Sequence, residues 1–438
     1  MVASGGFNVE SLLRGLLGIV CVLGIAYLFS SDRKRIDWKL VGTGLTLQIV
    51  IALSILYVPF VGLFFEWMGK GFVKIIDFTQ AGVSFLFGPM ASRNTGIVFI
   101  IHSLPTLIFF TALVSVFYHW GIIQRIVNFL SCVLRLLIRN ISGQEGLVVV
   151  GNIFLGMSES PVLVKQYLSK MNKSELFLVM VSGMATIAGT LLGVYAGLLG
   201  DGDPARQVFF AKHLLSASVM AAPGAIVLAK MIYPQTEPID KANVEAAIYK
   251  EHRSVLEALA SGTSTGIKLM VNVAAMLLVF IALVAMVNYL CEGIIGRYTG
   301  LNEWVVAVTH GKAQGFTIHF IVGVLLTPLM WLIGVPVDDL MTVGALVGQK
   351  TVLNEFVAYF QMQQWKIAGV FVYEKSIVMS TYLLCGFANI ASVGILLGAL
   401  GVLAPDKRPV IAQLGFRAMF AGAAVSILSA TIIGMISG

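Results

Sequence analysis

Apolar runs long enough to cross a membrane follow one another through this chain, from Leu12–Phe29 near its start to Val410–Ile436 near its end. They leave no room for a sizeable soluble domain. A run of about 18 or more apolar residues spans the hydrocarbon core as a helix, and a spanning segment must satisfy its own backbone hydrogen bonds. The chain is 58% hydrophobic and only 12% charged, whereas soluble domains are about a quarter charged. These features predict an all-α polytopic membrane protein whose first partner is the lipid bilayer. The net charge of +7 is accounted for by basic loops on the cytoplasmic side, so no nucleic-acid partner is expected. The four cysteines lie far apart and the six histidines show no metal-binding spacing, which excludes a disulfide framework or a zinc site. His102, His119 and His213 read as polar fillers at helix ends or interfaces.

Two apolar segments are interrupted in the same way. Gly151–Pro161 carries Glu159, the only charged residue between Glu145 and Lys165, bracketed by Gly156 and Pro161. Thr351–Tyr359 carries Glu355. A lone carboxylate at membrane depth is costly and marks a functional site by default. Gly and Pro beside it argue against an unbroken helix. Two broken segments in matching halves are the best sequence pointer to a transporter's binding site.

Basic loops orient the chain. Ser30–Arg35, after Leu12–Phe29, shows no small-residue cleavage pattern and reads as the cytoplasmic end of a retained first helix. Val41–Leu63 then returns outward, Phe64–Met90 lies at the outer interface, and Gly96–Tyr118 crosses inward. Ile122–Arg139, with Arg125, Asn128, Arg135 and Arg139 among apolar residues, suits an amphipathic cytoplasmic helix. Lysines and arginines on both sides of Leu147–Val164 suggest a re-entrant hairpin. Ser174–Leu199, Gln207–Met231 and Ile267–Ile295 cross in turn, with Pro234–Gly262 as a polar, helical cytoplasmic connector. Phe316–Ile333 reads as interfacial or half-inserted, because one more crossing would put the basic pair Lys407 and Arg408 outside. The Glu355 segment then enters from outside, Ser376–Leu403 crosses inward, and Val410–Ile436 ends the chain outside. The expectation is eight transmembrane helices plus two re-entrant helical hairpins and interfacial helices.

An internal repeat joins the halves. Gly183, Ala185, Ile187 and Ala188 match Gly386, Ala388, Ile390 and Ala391 in order and spacing, each set downstream of one of the two glutamates. The predicted topology points the two matched helices in opposite directions, which makes this an inverted repeat of the kind secondary transporters use around a midplane site. The expected units are N-terminal scaffold helices over 1–121, a first repeat over 122–233, a connector and scaffold span over 234–315, and a second repeat over 316–438.

Glu159 and Glu355 could be an acid–base pair, but Ser158, Asn354, Asn389 and Ser392 are neutral hydrogen-bonding companions. That set suits a neutral polyhydroxylated ligand. Met157 and Phe387 offer soft or flat contact for a ring. No GxSxG elbow and no P-loop is present, so uphill transport would need an ion gradient. Asn152 and Thr186 are candidate sodium ligands, because a hard cation takes oxygens and broken helices expose carbonyls. Their bland readings are a hairpin cap for Asn152 and a back-bonded helix hydroxyl for Thr186.

At these residues the sequence resembles the concentrative nucleoside transporter family. The resemblance covers most of the chain and is most specific at Gly151–Pro161, Cys385–Ser392 and Thr351–Tyr359, above all Leu353–Tyr359. It implies sodium-coupled nucleoside uptake by an elevator movement of part of each protomer in a homotrimer. It places the protein in the bacterial inner membrane, where the orientation set by the basic loops puts both termini on the periplasmic side. In that family a Gly-Gln-Thr-Glu motif contacts the base. Here Gly156, Ser158 and Glu159 match, with Ser for Thr, and Met157 replaces the Gln. By the same resemblance Glu355, Asn389 and Ser392 contact ribose and Phe387 makes an aromatic contact. The sodium ion falls to the side chains of Asn152 and Thr186, with Leu155 and Ile187 as backbone donors. Thr186 stands where Ser is usual and keeps the hydroxyl. An alternative is a proton-coupled nucleoside symporter using Glu159 or Glu355 as the proton carrier, which sodium dependence of uptake would separate. An intramembrane hydrolase would turn over substrate in detergent, and a passive channel would not accumulate it.

Overall fold

Pro59 opens a new helix two residues after the preceding one ends, and Gly121 separates two helices bent sharply to each other. The computed structural model describes residues 9–91, 101, 104–238, 253–309 and 315–437. Among these residues the regular structure is helical, with no β-strand. The first helices are α1 (Val9–Leu28), α2 (Trp38–Tyr57) and α3 (Pro59–Phe87). Asp37 caps α2 by accepting the backbone N–H groups of Lys39 and Leu40. The expected single crossing Val41–Leu63 is corrected here. The helix stops at Tyr57, and Pro59 opens the next at a position where its missing N–H costs nothing. Residues 60–63 therefore belong to α3.

Next come α4 (Pro105–His119) and α5 (Ile122–Leu137), bent by 74° to each other. Gly121 sits between them with a φ of 72°, which a glycine adopts without strain. Residues 96–100, 102 and 103 of the expected crossing Gly96–Tyr118 and the middle of the expected connector, residues 239–252, lie outside the described residues. His102 does too.

The first broken segment begins with α6 (Gly143–Phe154). Ser142 and Glu145 form a reciprocal capping box at its start. The helix ends at Phe154, with Leu155 as its C-cap. After a turn, the chain continues as the 3-10 stretch Ser160–Val164 and a single helical turn, Lys165–Leu168. Pro161 stands in the first turn of that stretch, as the sequence predicts. Then come α7 (Lys173–Ala185) and α8 (Gly189–Gly200). Ser174–Leu199 is thus not one continuous helix: Thr186, Ile187 and Ala188 leave the helical conformation. Helix α9 (Pro204–Ile232) follows, buried over most of its length.

The second half repeats the sequence of parts. Helix α10 (Val255–Asn288) continues through a π-helical stretch, Tyr289–Gly296. Short α11 (Leu301–Val308) and α12 (Ile318–Leu332) lead to α13 (Leu340–Val352) and α14 (Glu355–Ile367), separated only by Leu353 and Asn354. Next are α15 (Glu374–Leu384) and α16 (Ile390–Leu403), so Ser376–Leu403 is also broken, at Cys385–Asn389. Last is α17 (Arg408–Ile436).

Among the described residues six helical stretches are long and apolar enough to cross a membrane, or seven if the bent pair of α4 and α5 is one span. The core gathers α9 and α17, which pack on each other and on both α7 and α15. Helix α10 stands outside it. Packed mainly on α4, it fully buries only Ala258, Gly262, Gly266 and Leu277, rests Leu269, Met270, Val273, Ala274 and Phe280 partly against the core, and leaves Val271, Leu278, Val279, Ile281 and Leu283 exposed.

Candidate functional site

The two interrupted helices meet at their breaks. Gly386 has a φ of 125°, and a Cβ there would lie 2.8 Å from the carbonyl oxygen of Ala185 and 2.9 Å from that of Met184. Only a glycine lets the second break come this close to the end of α7. Helix α17 passes both: a Cβ on Gly422 would touch Met184, and Ser426 donates its hydroxyl to the carbonyl of Cys385 at 2.6 Å. The turn after α6 closes on the same place. A Cβ on Gly189 would stand 2.7 Å from the carbonyl oxygen of Phe154, and one on Gly183 would stand 2.8 Å from Met157 Cβ.

Glu355 is the first residue of α14, whose N-cap is Asn354, accepting from the Val357 amide at 2.9 Å. A carboxylate at this position sits at the positive end of the helix. It is buried and held from two sides. Asn389 Nδ2 donates to Oε2 at 2.8 Å, and Tyr195 OH donates to Oε1 at 3.1 Å. Asn389 is in turn the N-cap of α16, accepting from the Ser392 backbone N–H at 2.9 Å. The structure therefore joins Glu355, Asn389 and Ser392, which the sequence analysis placed together. Phe387 is buried in the same break. Tyr195 was missed. It lies on α8, its ring centroid 4.5 Å from that of Tyr359 and 5.4 Å from that of Phe356.

A second polar cluster lies between α6 and α7. Asn152 Nδ2 donates to Ser182 Oγ at 2.9 Å, and Asn152 Oδ1 accepts from Ser160 Oγ at 2.7 Å. Thr186 Oγ1 donates to the Ser182 carbonyl at 3.0 Å. All four are buried. The bland expectation for Thr186, a back-bonded hydroxyl, describes its geometry. That for Asn152 does not, because its amide bridges the two sides of the break instead of capping a helix. Leu155 and Ile187 are buried at the two breaks on either side. Ser160 and Ser182 were not foreseen. Their only sequence signal is a hydroxyl beside a break.

The two sets are not joined directly. Met157 is buried, whereas Ser158 and Glu159 are exposed, and no hydrogen bond among the described residues ties Glu159 to Glu355. The 3-10 stretch Ser160–Val164 does pack on α16, so both breaks border one region. Among the described residues no three His, Cys, Asp or Glu side chains cluster as a metal site. The oxygens around Asn152 are neutral, which suits a hard monovalent cation better than a transition metal. His213, predicted to be a polar filler, is buried with Nδ1 3.3 Å from Tyr382 OH.

Paired interrupted helices, each with a polar cluster at its break, define a polytopic membrane transporter rather than an enzyme. Comparison with known proteins makes the class specific. Residues 213–434 match the family described as Na+ dependent nucleoside transporter C-terminus, residues 17–90 match its N-terminal counterpart, and residues 100–202 match a nucleoside recognition gate family. The chain belongs to this family of nucleoside transporters. It is 38% identical to the uncharacterized transporter YutK of Bacillus subtilis (strain 168), over 97% of this chain and 99% of the relative. It is 34% identical to the nucleoside permease NupC of Helicobacter pylori, over 98% of both. The solved structure of CNTnw in an inward-facing substrate-bound state superposes with a TM-score of 0.86 at 34% identity, covering 97% of this chain and 99% of that one. Variants of that transporter in outward-facing and intermediate states match as well.

Proposed function

We propose that this protein is a secondary active symporter that carries nucleosides into the cell down a sodium gradient. The observation that carries the reading is the Glu355 cluster. A buried carboxylate, pre-oriented by Asn389 and Tyr195 at the meeting of two interrupted helices, can accept hydroxyl protons from a ribose through charge-assisted hydrogen bonds. Ser392 stands one turn into the helix that Asn389 caps, and Phe387 offers a flat apolar face. On the other side Met157, Ser158 and Glu159 would face the base.

Sodium coupling is supported by the description of the family as Na+ dependent and by the chemistry of the Asn152 cluster. Asn152 and Thr186 would hold the ion with the carbonyls of Leu155 and Ile187. The Thr186 hydroxyl donates its proton to Ser182 and keeps its lone pairs for a cation. The ion would supply positive charge that draws the two breaks together and favours the substrate-competent arrangement.

Inward-facing, intermediate and outward-facing states are named for CNTnw and its variants, and this supports elevator-type alternating access here. In this reading the α6 and α13–α14 segments are re-entrant hairpins that move with the interrupted helices, and eight helices cross the bilayer. The units are 1–121, 122–233, 234–315 and 316–438. Both termini face the periplasm of a bacterial inner membrane, and three copies associate through the outward face near α10.

The test is uptake of labelled uridine into proteoliposomes with an inward sodium gradient, an inward proton gradient or neither. Accumulation driven by sodium supports the proposal. Accumulation driven by protons alone assigns the coupling to Glu159 or Glu355 instead, and equilibration without accumulation points to a channel.

A further inference from the structure

Lys350 is 2% exposed, in the last turn of α13, and among the described residues it makes no ion pair within 4.0 Å. An unpaired buried ammonium is expensive, and one that persists needs compensating partners. Its partners are the oxygens around the second break. Nζ donates to the Leu383 carbonyl at 2.8 Å and to Ser426 Oγ at 3.2 Å. Leu383 belongs to the last turn of α15, where carbonyls have no helical partner and the helix carries its negative end.

The position mirrors the first half. Asn152 and Lys350 each stand two residues before the last residue of their helices, which end at Phe154 and Val352. Each side chain reaches the end of the next interrupted helix. Asn152 meets Ser182, which precedes Gly183, while Lys350 meets the carbonyl of Leu383 and the Ser426 hydroxyl that binds the Cys385 carbonyl. Cys385 precedes Gly386, the repeat partner of Gly183. One half thus has a neutral amide and open oxygens where the other has a tethered cation.

We infer that the Lys350 ammonium is the resident cation of the second half, filling with a covalently held charge the place where the first half takes a mobile ion. It rests on the cation reading of the Asn152 cluster given above. It adds that this chain requires one external cation per cycle, because the pseudo-equivalent site is already occupied. Removing the charge while leaving oxygen in its place should create a second cation requirement.

The full-length protein is tested with Lys350→Asn and Lys350→Met, and with Lys350→Arg to retain the charge. Uptake is measured against sodium concentration in proteoliposomes, and melting temperature is measured in detergent in sodium chloride or choline chloride. Wild type and Lys350→Arg should give a Hill slope for sodium of about one, and Lys350→Asn a slope approaching about two, as expected for two linked ion sites. The Lys350→Asn protein should also gain more thermal stability from sodium than wild type does. Lys350→Met, with neither charge nor oxygen, should show no such gain and should lose uptake at every sodium concentration. Recovery of folded Lys350→Asn only in sodium supports the inference.

The inference is overturned by a folded Lys350→Asn protein whose slope and melting temperature follow sodium as wild type does. A Lys350→Asn protein that cannot be recovered in either salt, or a Lys350→Met protein with normal uptake, overturns it too. Failure of the sodium reading itself would appear separately, as wild-type uptake indifferent to sodium.

Discussion

Asn389 Nδ2 donates to Oε2 of Glu355 at 2.8 Å, joining the first residue of α14 to the N-cap of α16 across 34 positions of sequence. The same Asn389 uses its Oδ1 to fix the first turn of α16. One side chain thus sets both the direction of a helix and the orientation of the carboxylate proposed to receive substrate. Glu355→Gln keeps the size and loses the charge. A hydrogen bond to a charged group contributes about 1.5–3 kcal/mol, so uridine affinity should fall by about tenfold to a hundredfold. Lys366→Gln, on a half-buried lysine that donates to the Leu199 carbonyl, should cost much less. Competition binding on purified proteins reads the difference, and equal losses in the two variants would remove Glu355 from the site.

Asn152→Ala deletes the amide that bridges Ser160 and Ser182. The sodium concentration for half-maximal uptake should rise severalfold, and by linkage the apparent affinity for uridine should fall when sodium is limiting. Saturating sodium should restore much of the uptake. A sodium-activation curve that superposes on wild type would take the ion away from this cluster.

The sequence made the helices, the two isolated carboxylates and the repeat legible, because each is written in local pattern. The breaks were harder. Thr186–Ala188 contains two apolar residues and no proline, so nothing local distinguishes it from the helices on either side. Gly386 becomes meaningful only when the close approach to Ala185 is seen. Tyr195 reaches Glu355 across 160 positions and carries no motif. Lys350 carries no motif either, because its burial depends on α15 and α17 packing over it. Contacts made between the halves are the part of the site that periodicity cannot display.

Lys230 and Glu145 form a buried ion pair that ties the start of α6 to the end of α9. Lys230 also donates to Ser174 Oγ at 3.1 Å, in the first turn of α7. Removing one partner of such a pair leaves a buried charge and costs about 3–5 kcal/mol. Lys230→Met should therefore lower the melting temperature in detergent markedly. Glu145→Gln added to it should recover part of the loss, because glutamine preserves the capping box and removes the orphaned charge. A double variant no more stable than Lys230→Met would show that charge is not what matters there.

The remaining prediction concerns selectivity at Met157. Its Cβ packs where a Cβ on Gly183 would lie only 2.8 Å away, and its side chain is buried at the turn that follows α6. Related sequences are expected to carry a glutamine here. An amide both donates to and accepts from a base edge, whereas a thioether is only a weak acceptor. Discrimination built on hydrogen bonds exceeds discrimination built on apolar fit, because a mismatched base leaves a buried polar group unpaired. With Met157, purine and pyrimidine nucleosides should compete for labelled uridine at concentrations within about tenfold of one another, the spread that apolar fit alone sustains. Met157→Gln is close to isosteric, so α6 and α7 should keep their packing, and Gly183 still admits the side chain. The variant should widen the gap between bases while leaving competition by ribose-altered analogues unchanged, since those contacts are the ones proposed for Glu355, Asn389 and Ser392. Competition of uridine, cytidine, adenosine and guanosine in both proteins measures this. The same order and spacing of the four before and after the substitution would show that Met157 does not face the base.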